Sequence, residues 1–210
     1  MMDMDGFPLI SWLHPEQERD EARHIVSHLT LLASHENYFR SAGELIDHAA
    51  EYAAGFNPEN REQGDKHYRI RMWAMIAAHH AAFSIYHFRS SLASIRDRLS
   101  QCPELAKKVD RKAIEEAFNQ IDKDFPYWRE IRDAIGHFSD KIFKPADVDT
   151  HKPDDAAFVH GNLSGYVLTF TRDKKYITLN LSPESLAKLG LIKRRVWGAF
   201  RKAVAQQPQG

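Results

Sequence analysis

The sequence predicts a mostly α-helical protein that ends in a small β-hairpin and a terminal helix. Residues 65–100 contain no glycine or proline and are apolar nearly all round in the middle, which is typical of a central helix in a bundle. Two alternating runs, GYVLTFT and KYITLNL, flank Arg172-Asp173-Lys174 and predict the hairpin. The length of 210 residues suits one domain.

The first helix begins near His14-Pro15-Glu16, because proline and acidic residues favour a first turn. Its apolar pattern weakens around Glu36-Asn37, where a second helical stretch is expected to take over and run to about Phe56. The complete prediction is one domain, 1–210, with a helical bundle core at 14–140, a loop at 141–164, the hairpin at 165–181 and a C-terminal helix at 183–205.

Three local signals refine this prediction. Asp110 is a candidate cap for a helix that begins after it. The apolar stripe beyond it passes through Pro126 without a change of phase, so either one helix is kinked there or a second helix begins there. Gly190 is the expected interruption of the last helix.

Composition and charge restrict the function classes. Lys+Arg and Asp+Glu balance at 29 each, but residues 1–66 carry a net charge of −8 and residues 191–210 carry +5. No region is basic enough for a general nucleic-acid binder, so any RNA contact should be local.

The N-terminus is acidic and no apolar run is long enough to span a membrane, which predicts a cytoplasmic protein without a membrane contact. The single Cys102 predicts a structural thiol.

The stretch EIRDAIGHFSD, residues 130–140, carries the strongest functional signal. Phe118, Phe125 and Arg132 lie seven positions apart, so Arg132 continues an apolar stripe and its charge needs an anion or an interface. Its intrahelical neighbours are not acidic, and Asp133 as the next residue is expected to point elsewhere. A partner from another helix, another subunit or a phosphate is therefore predicted. His137 follows Gly136 at the expected helix end, next to the loop.

The segment RDAIGH, residues 132–137, resembles the R-polar-x3-5-H signature of the HEPN superfamily, the higher-eukaryote and prokaryote nucleotide-binding domains. These proteins are small helical bundles, and many are metal-independent ribonucleases in toxin–antitoxin, abortive-infection and RNA-processing systems. The resemblance covers residues 14–140 and implies an HEPN-like bundle that forms a homodimer. Asp133 occupies the polar position, where asparagine is common in active members.

The resemblance implies an endoribonuclease that leaves a 2′,3′-cyclic phosphate. His137 would act as general base or general acid, and Arg132 would stabilise the charge that develops on the phosphate. Asp133 would orient the histidine or pair with an arginine. RNA or a nucleotide would be the ligand, and an antitoxin or another protein would be a partner.

Two alternatives stay open. In the first alternative, the chain is a non-catalytic helical module that binds a nucleotide, RNA or a protein. Arg132 would then bridge to another helix and His137 would cap a helix end. In the second alternative, the chain is a metal-binding bundle, because the spacing of its twelve histidines places several of them on one helix face. The candidate metal ligands are His24, His28, His80 and His87.

Arg69, Arg71 and Arg89 lie among the aromatic residues of the long helix and are candidate substrate-binding residues. Ion-paired or surface positions are the alternative for each of them. The chain contains no Walker loop, dinucleotide fingerprint or Gly-x-Ser-x-Gly motif, so the sequence predicts no cofactor.

Overall fold

Long helices dominate the computed structural model, which describes residues 16–56, 61–136, 150–154 and 157–204. The mostly helical prediction, with a small sheet and a C-terminal helix, is confirmed. After a 3-10 turn at Glu16–Glu18, the elements in chain order are α1 (Arg19–Ala54), α2 (Arg61–Leu99), α3 (Pro103–Ala106), α4 (Arg111–Asp124), α5 (Trp128–Gly136), β1 (His160–Ser164), β2 (Val167–Arg172), β3 (Lys175–Asn180), α6 (Pro183–Ala199) and α7 (Arg201–Val204). No described helix is long and apolar enough to cross a membrane.

Helix α1 continues without interruption through the point where the sequence predicts a boundary. Glu36 is buried in mid-helix, and Leu32 and Phe39 on either side of it are also buried. The apolar contacts therefore continue across the polar positions, and no proline interrupts the backbone hydrogen bonds. The predicted boundary at Glu36-Asn37 is wrong for that reason.

The structure also answers the two questions that the sequence raised about Pro126 and Gly190. A turn separates α4 from α5, and the Trp128 amide donates to the Phe125 carbonyl at 3.2 Å, so a second helix begins after Pro126. Helix α6 is not interrupted at Gly190, as the sequence predicts, but continues to Ala199. A glycine within a helix lowers its stability by only about 1 kcal/mol, and the burial of Leu189 and Ile192 next to Gly190 offsets this loss.

The chain packs as two compact units, and α1 and α2 contribute to both. The first unit contains residues 1–35, 87–124 and 188–210; the second contains residues 36–86 and 125–187. In the first unit, Asp110 caps α4 as predicted, because its Oδ1 accepts from the Ala113 amide at 3.1 Å. The core of this unit includes Ile25, Leu29, Leu32, Phe88, Leu92, Ile95, Ile121 and Phe200.

The second unit contains an antiparallel sheet in the order β1-β2-β3. The predicted hairpin forms β2 and β3, and Asp173 and Lys174 connect them with positive φ angles of 49° and 61°. Two successive residues with positive φ are typical of the tight turn whose twist matches a hairpin. Leu168, Phe170, Ile177 and Leu179 are buried, and α5 packs against β2 and β3.

Strand β1 is an addition to the predicted hairpin. The loop prediction for 141–164 is wrong at 160–164, while residues 141–149 and 155–156 lie outside the described residues. A bulge interrupts the β1–β2 register between His160 and Asn162, and Gly161 there has φ 92°. A Cβ at Gly161 would lie 3.2 Å from the Phe170 ring, so glycine allows this close approach.

Glu18 is a buried acid that stabilises the start of α3. Its Oε1 accepts from the Glu104 amide at 2.9 Å and its Oε2 accepts from the Leu105 amide at 3.2 Å. Cys102 occupies the cap position of α3 but makes no side-chain cap hydrogen bond. Glu18, 86 positions away from Glu104, therefore supplies the acceptors that this helix start needs.

We expect Glu18→Ala to lower the free energy of unfolding by about 2 kcal/mol, because hydrogen bonds to charged groups contribute about 1.5–3 kcal/mol each and water replaces part of the loss. Urea denaturation followed by circular dichroism measures this change. Glu16→Ala is the matched control, since Glu16 is exposed, and it should change stability by less than about 0.5 kcal/mol. Equal effects of the two substitutions would contradict the capping role of Glu18.

Candidate functional site

Helix α5 positions the candidate site in the second unit. Trp128 and Ile131 on α5 are buried, and the helix packs on β2 and β3. Arg132 and Asp133 follow directly and are half-buried. The two buried side chains fix how α5 is turned, so they also fix the direction in which Arg132 leaves the helix.

The Arg132 guanidinium lies over an aromatic ring and beside a carboxylate. Its Cζ is 4.5 Å from the centroid of the Tyr86 ring, and its Nη1 is 3.0 Å from Asp133 Oδ1. The side chain is 33% exposed, while its buried Nε has no hydrogen-bond partner among the described residues. The unpartnered Nε is shielded from solvent, so the exposed third of the side chain is the part that a ligand can contact.

The contact with Asp133 differs from the sequence prediction, in which this carboxylate points away from Arg132. The physical reason is the length of the arginine side chain, which reaches sideways to the next residue although the two Cα–Cβ bonds diverge. Asp133 is 28% exposed, so solvent weakens this ion pair compared with a fully buried one.

Arg172 is a second cation at the site and is not among the predicted site residues. Its Nη1 donates to the Glu130 carbonyl oxygen at 3.2 Å and lies 3.9 Å from Asp133 Oδ2. Its Nε lies 3.8 Å from Asp173 Oδ2. The sequence contains no local signal for this position, because Arg172 reads as a turn residue and reaches α5 only through the packing of β2 on that helix.

His137 lies outside the described residues, which end at Gly136 in this part of the chain and begin again at 150. The predicted role of His137 therefore stays a prediction. Gly136 is the last residue of α5 and the last described residue before this gap. Arg132, Asp133 and Arg172 are the polar groups that the structure brings together.

The three candidate substrate-binding arginines have different surroundings. Arg89 belongs to the first unit, where Asp122 binds its guanidinium through two hydrogen bonds of 3.1 and 3.2 Å and the Phe118 ring centroid lies 4.2 Å away. These contacts give Arg89 a structural role. Arg69 and Arg71 are exposed on α2 in the second unit and form no ion pair with any described residue.

Arg71 and His67 line a cavity of about 300 Å³ in the second unit. Small and apolar side chains from α1 and α2 form most of its wall, and Asn162, Leu163 and Gly165 close one side. Phe56 stacks on the His67 ring at 4.2 Å, and His67 Nδ1 is buried without a hydrogen-bond partner in the described part of the chain. Because Arg71 lines this cavity, it remains a candidate for contact with an anionic ligand.

Two of the histidines proposed as metal ligands lie against other aromatic rings. His87 stacks on His35 with ring centroids 5.5 Å apart, and His80 meets the Tyr38 ring edge-on at the same distance. Burial, followed by the charges of Arg98 and His24, lowers the pKa of His28. Within the described ranges no three His, Cys, Asp or Glu side chains are grouped as a metal site requires, so these residues give the metal alternative no support.

Cys102 has the surroundings of a structural thiol. It is fully buried, and burial, followed by the charges of Glu18 and Glu21, raises its pKa to about 11. A thiol that stays protonated is a poor nucleophile. The burial and the raised pKa are in keeping with the predicted structural thiol.

We expect a thiol reagent to modify Cys102 far more slowly in the native protein than in urea, because the folded protein buries the thiol. Equal modification rates in both solvents would contradict this burial.

The pKa of the Cys102 thiol is higher in the folded protein than in the unfolded chain. Cys102 therefore stabilises the fold at neutral pH, and this contribution is lost as the pH rises from about 9 to about 11. Denaturation curves across that range should show the loss in the wild type and a smaller loss in Cys102→Ala.

No family model, curated protein sequence or solved structure matches this chain.

Proposed function

We propose that the chain is a metal-independent, HEPN-like endoribonuclease or RNA-processing factor of a defence or toxin type, with Arg132 and His137 as its catalytic residues. The observation that supports this proposal is the arginine environment on α5. A partly exposed guanidinium, with one buried N–H unpartnered among the described residues, lies five positions before His137 in the sequence.

Arg132 suits a phosphate because its position is held while part of its charge stays accessible. The Tyr86 ring supports one face of the guanidinium, and the ring does not use the N–H donors. A phosphate oxygen gains a planar, charged donor group that is already oriented. Such orientation before reaction makes electrostatic stabilisation of a transition state effective.

Arg172 offsets the negative charge of Asp133, which would otherwise repel a phosphate. The two guanidinium groups lie 3.0 and 3.9 Å from opposite oxygens of the one carboxylate. Asp173 lies 3.8 Å from Arg172 Nε, so the two arginines and two aspartates together are neutral. The pairing of Asp133 with two guanidinium groups offsets its own charge, which supports phosphate binding beside an aspartate at position 133.

The reaction is a transfer of the phosphate ester within the RNA. The 2′-oxygen attacks the adjacent phosphorus, the bond to the 5′-oxygen breaks, and a 2′,3′-cyclic phosphate forms. His137 accepts the 2′-hydroxyl proton or donates the proton that the leaving 5′-oxygen needs, and solvent supplies the other transfer. Arg132 binds the non-bridging oxygens as their charge increases.

The second candidate function is a non-catalytic module that binds RNA, a nucleotide or a protein. The ion pair between Arg132 and Asp133 supports it, because this pairing gives Arg132 a structural role like that of Arg89 with Asp122. If the chain is a non-catalytic module, we expect it to bind fluorescent single-stranded RNA in an anisotropy titration and to leave the RNA intact.

Cleavage of a mixed RNA pool with and without excess EDTA tests the proposed function. We expect the same cleavage rate with EDTA as with Mg²⁺, because no step of the reaction uses a metal. His137→Ala, purified in parallel, controls for contaminating ribonucleases. Loss of cleavage in EDTA with recovery on adding Zn²⁺ or Mg²⁺ would contradict the proposal, and binding without cleavage would favour the second candidate.

A further inference from the structure

The cavity that α1, α2 and β1 line in the second unit has the size of a small-molecule site. Its volume is about 300 Å³, at the lower end of the roughly 300–1,000 Å³ that is usual for ligand pockets. All of its lining residues belong to the second unit. Since one water molecule occupies about 30 Å³ in the liquid, the cavity has room for roughly ten non-hydrogen atoms.

The wall that α1 contributes is apolar and made of small side chains. Ile46, Ala49 and Ala53 line the cavity, and they lie three and four positions apart on one face of the helix. Ile46 and Ala49 are buried, so this part of the wall is shielded from solvent. Leu163 of β1 adds a further apolar side chain. A ligand that fills this space therefore needs an apolar body.

Helix α2 brings a cation and an unpartnered ring nitrogen to the same cavity. His67 and Arg71 both line it, and they share a helix face because they lie four positions apart. Phe56 stacks on the His67 ring with 22° between the ring planes, which restricts the orientation of the imidazole. The buried His67 Nδ1 has no hydrogen-bond partner among the described residues. Such atoms are rare in folded proteins, and a polar ligand atom would supply the missing partner.

The charge of the lining favours an anion. Arg71 is exposed and forms no ion pair with any described residue, and the described lining contains no aspartate or glutamate. A guanidinium binds a planar carboxylate through two parallel hydrogen bonds. Asn162 of β1 also lines the cavity, and its side-chain amide is a further hydrogen-bond donor.

We propose that this cavity binds a small carboxylic acid with an apolar body, in its carboxylate form. The Arg71 guanidinium binds the carboxylate, and His67 donates from Nδ1 to one of its oxygens. The apolar body lies against Ile46, Ala49 and Leu163. Inorganic phosphate would leave this apolar wall uncovered, and a mononucleotide is larger than a space for roughly ten atoms.

The proposed carboxylate site shares no residue with the group formed by Arg132, Asp133 and Arg172. The inference therefore does not rest on the proposed ribonuclease function. A protein that binds no RNA can still bind the acid.

Isothermal titration calorimetry of the full chain with isovalerate, benzoate and phenylacetate tests the site. We expect saturable binding of at least one acid, with a Kd below about 1 mM. The uncharged amide of that acid has the same shape, and it should bind about tenfold more weakly or worse because it forms no ion pair with Arg71. Absence of saturable binding for all three acids would overturn the proposal, as would equal binding of the amide. Tighter binding of inorganic phosphate or adenosine monophosphate than of every acid would also overturn it.

Substitutions locate the bound acid. Arg71→Gln should weaken its binding about tenfold or more, whereas Arg23→Gln, the matched control in the first unit, should leave binding unchanged. His67→Phe keeps a ring against Phe56 but removes Nδ1, and it should also weaken binding. Ala53→Leu keeps both polar groups and fills part of the cavity, so it should weaken binding without loss of charge. Circular dichroism checks that each variant is folded. Unchanged binding in folded Arg71→Gln and Ala53→Leu would place the acid elsewhere and overturn the proposal.

Discussion

Replacement of His137 by alanine is expected to slow RNA cleavage by a factor of about 10²–10⁴, the usual contribution of a positioned general acid or base. Histidine is the residue type most often used as a general acid or base, so an imidazole suits this proton transfer. No other side chain in the proposed reaction performs this proton transfer. The initial rate of cleavage of an end-labelled RNA measures the effect.

His48→Ala is the matched control for the loss of a histidine. His48 is exposed on α1 and contacts only Glu51 among the ion-pair partners in the described chain, at 3.5 Å. This variant should cleave RNA at the wild-type rate and melt at the wild-type temperature. If His137→Ala cleaves as fast as His48→Ala, then His137 is not a catalytic residue and the R-polar-x3-5-H resemblance carries no activity.

Arg132→Ala is expected to lower the cleavage rate by about 10²–10³, the range found when one oriented donor to a developing charge is removed. Arg132→Lys should recover only part of the rate. Lysine keeps the positive charge but lacks the planar fork that can lie on Tyr86 and still present N–H donors to a phosphate. Single-turnover rates at saturating RNA separate this effect from weaker binding.

Arg23→Ala is the control for the loss of an arginine. Arg23 is exposed and lies 3.4 Å from Asp20 in a surface ion pair, so its removal should leave both stability and cleavage unchanged. A reduction of binding with an unchanged rate for Arg132→Ala would make Arg132 a binding residue only. That outcome would favour the non-catalytic module.

The elements with strong local patterns could be predicted from the sequence. Helix α2 was predictable because 36 consecutive residues from position 65 lack glycine and proline, and the observed helix runs from Arg61 to Leu99. The alternating runs around Arg172-Asp173-Lys174 likewise predicted β2 and β3. Strand β1 was missed, since its sequence HGNLS is short, contains a glycine and lacks clear alternation.

The surroundings of the site could not be predicted, because they depend on residues far apart in the sequence. Arg132 meets Tyr86 and Asp133 meets Arg172 only once α2, α5 and β2 have packed together. The same limit applies to Glu18 at the start of α3 and to the pair of Arg89 and Asp122. Local patterns report helix faces and strand alternation, whereas these partners are set by tertiary packing.

The most direct test of the central claim uses an RNA oligonucleotide and a copy with a 2′-deoxynucleotide on the 5′ side of the mapped cleavage position. Both are incubated with the wild-type protein in EDTA, and the products are identified by mass spectrometry. We predict that the RNA is cut to a 2′,3′-cyclic phosphate and that the deoxy copy stays intact at that position. Cleavage of the deoxy copy, or a product that carries a 5′-phosphate, would contradict attack by the 2′-hydroxyl and with it the proposed roles of Arg132 and His137.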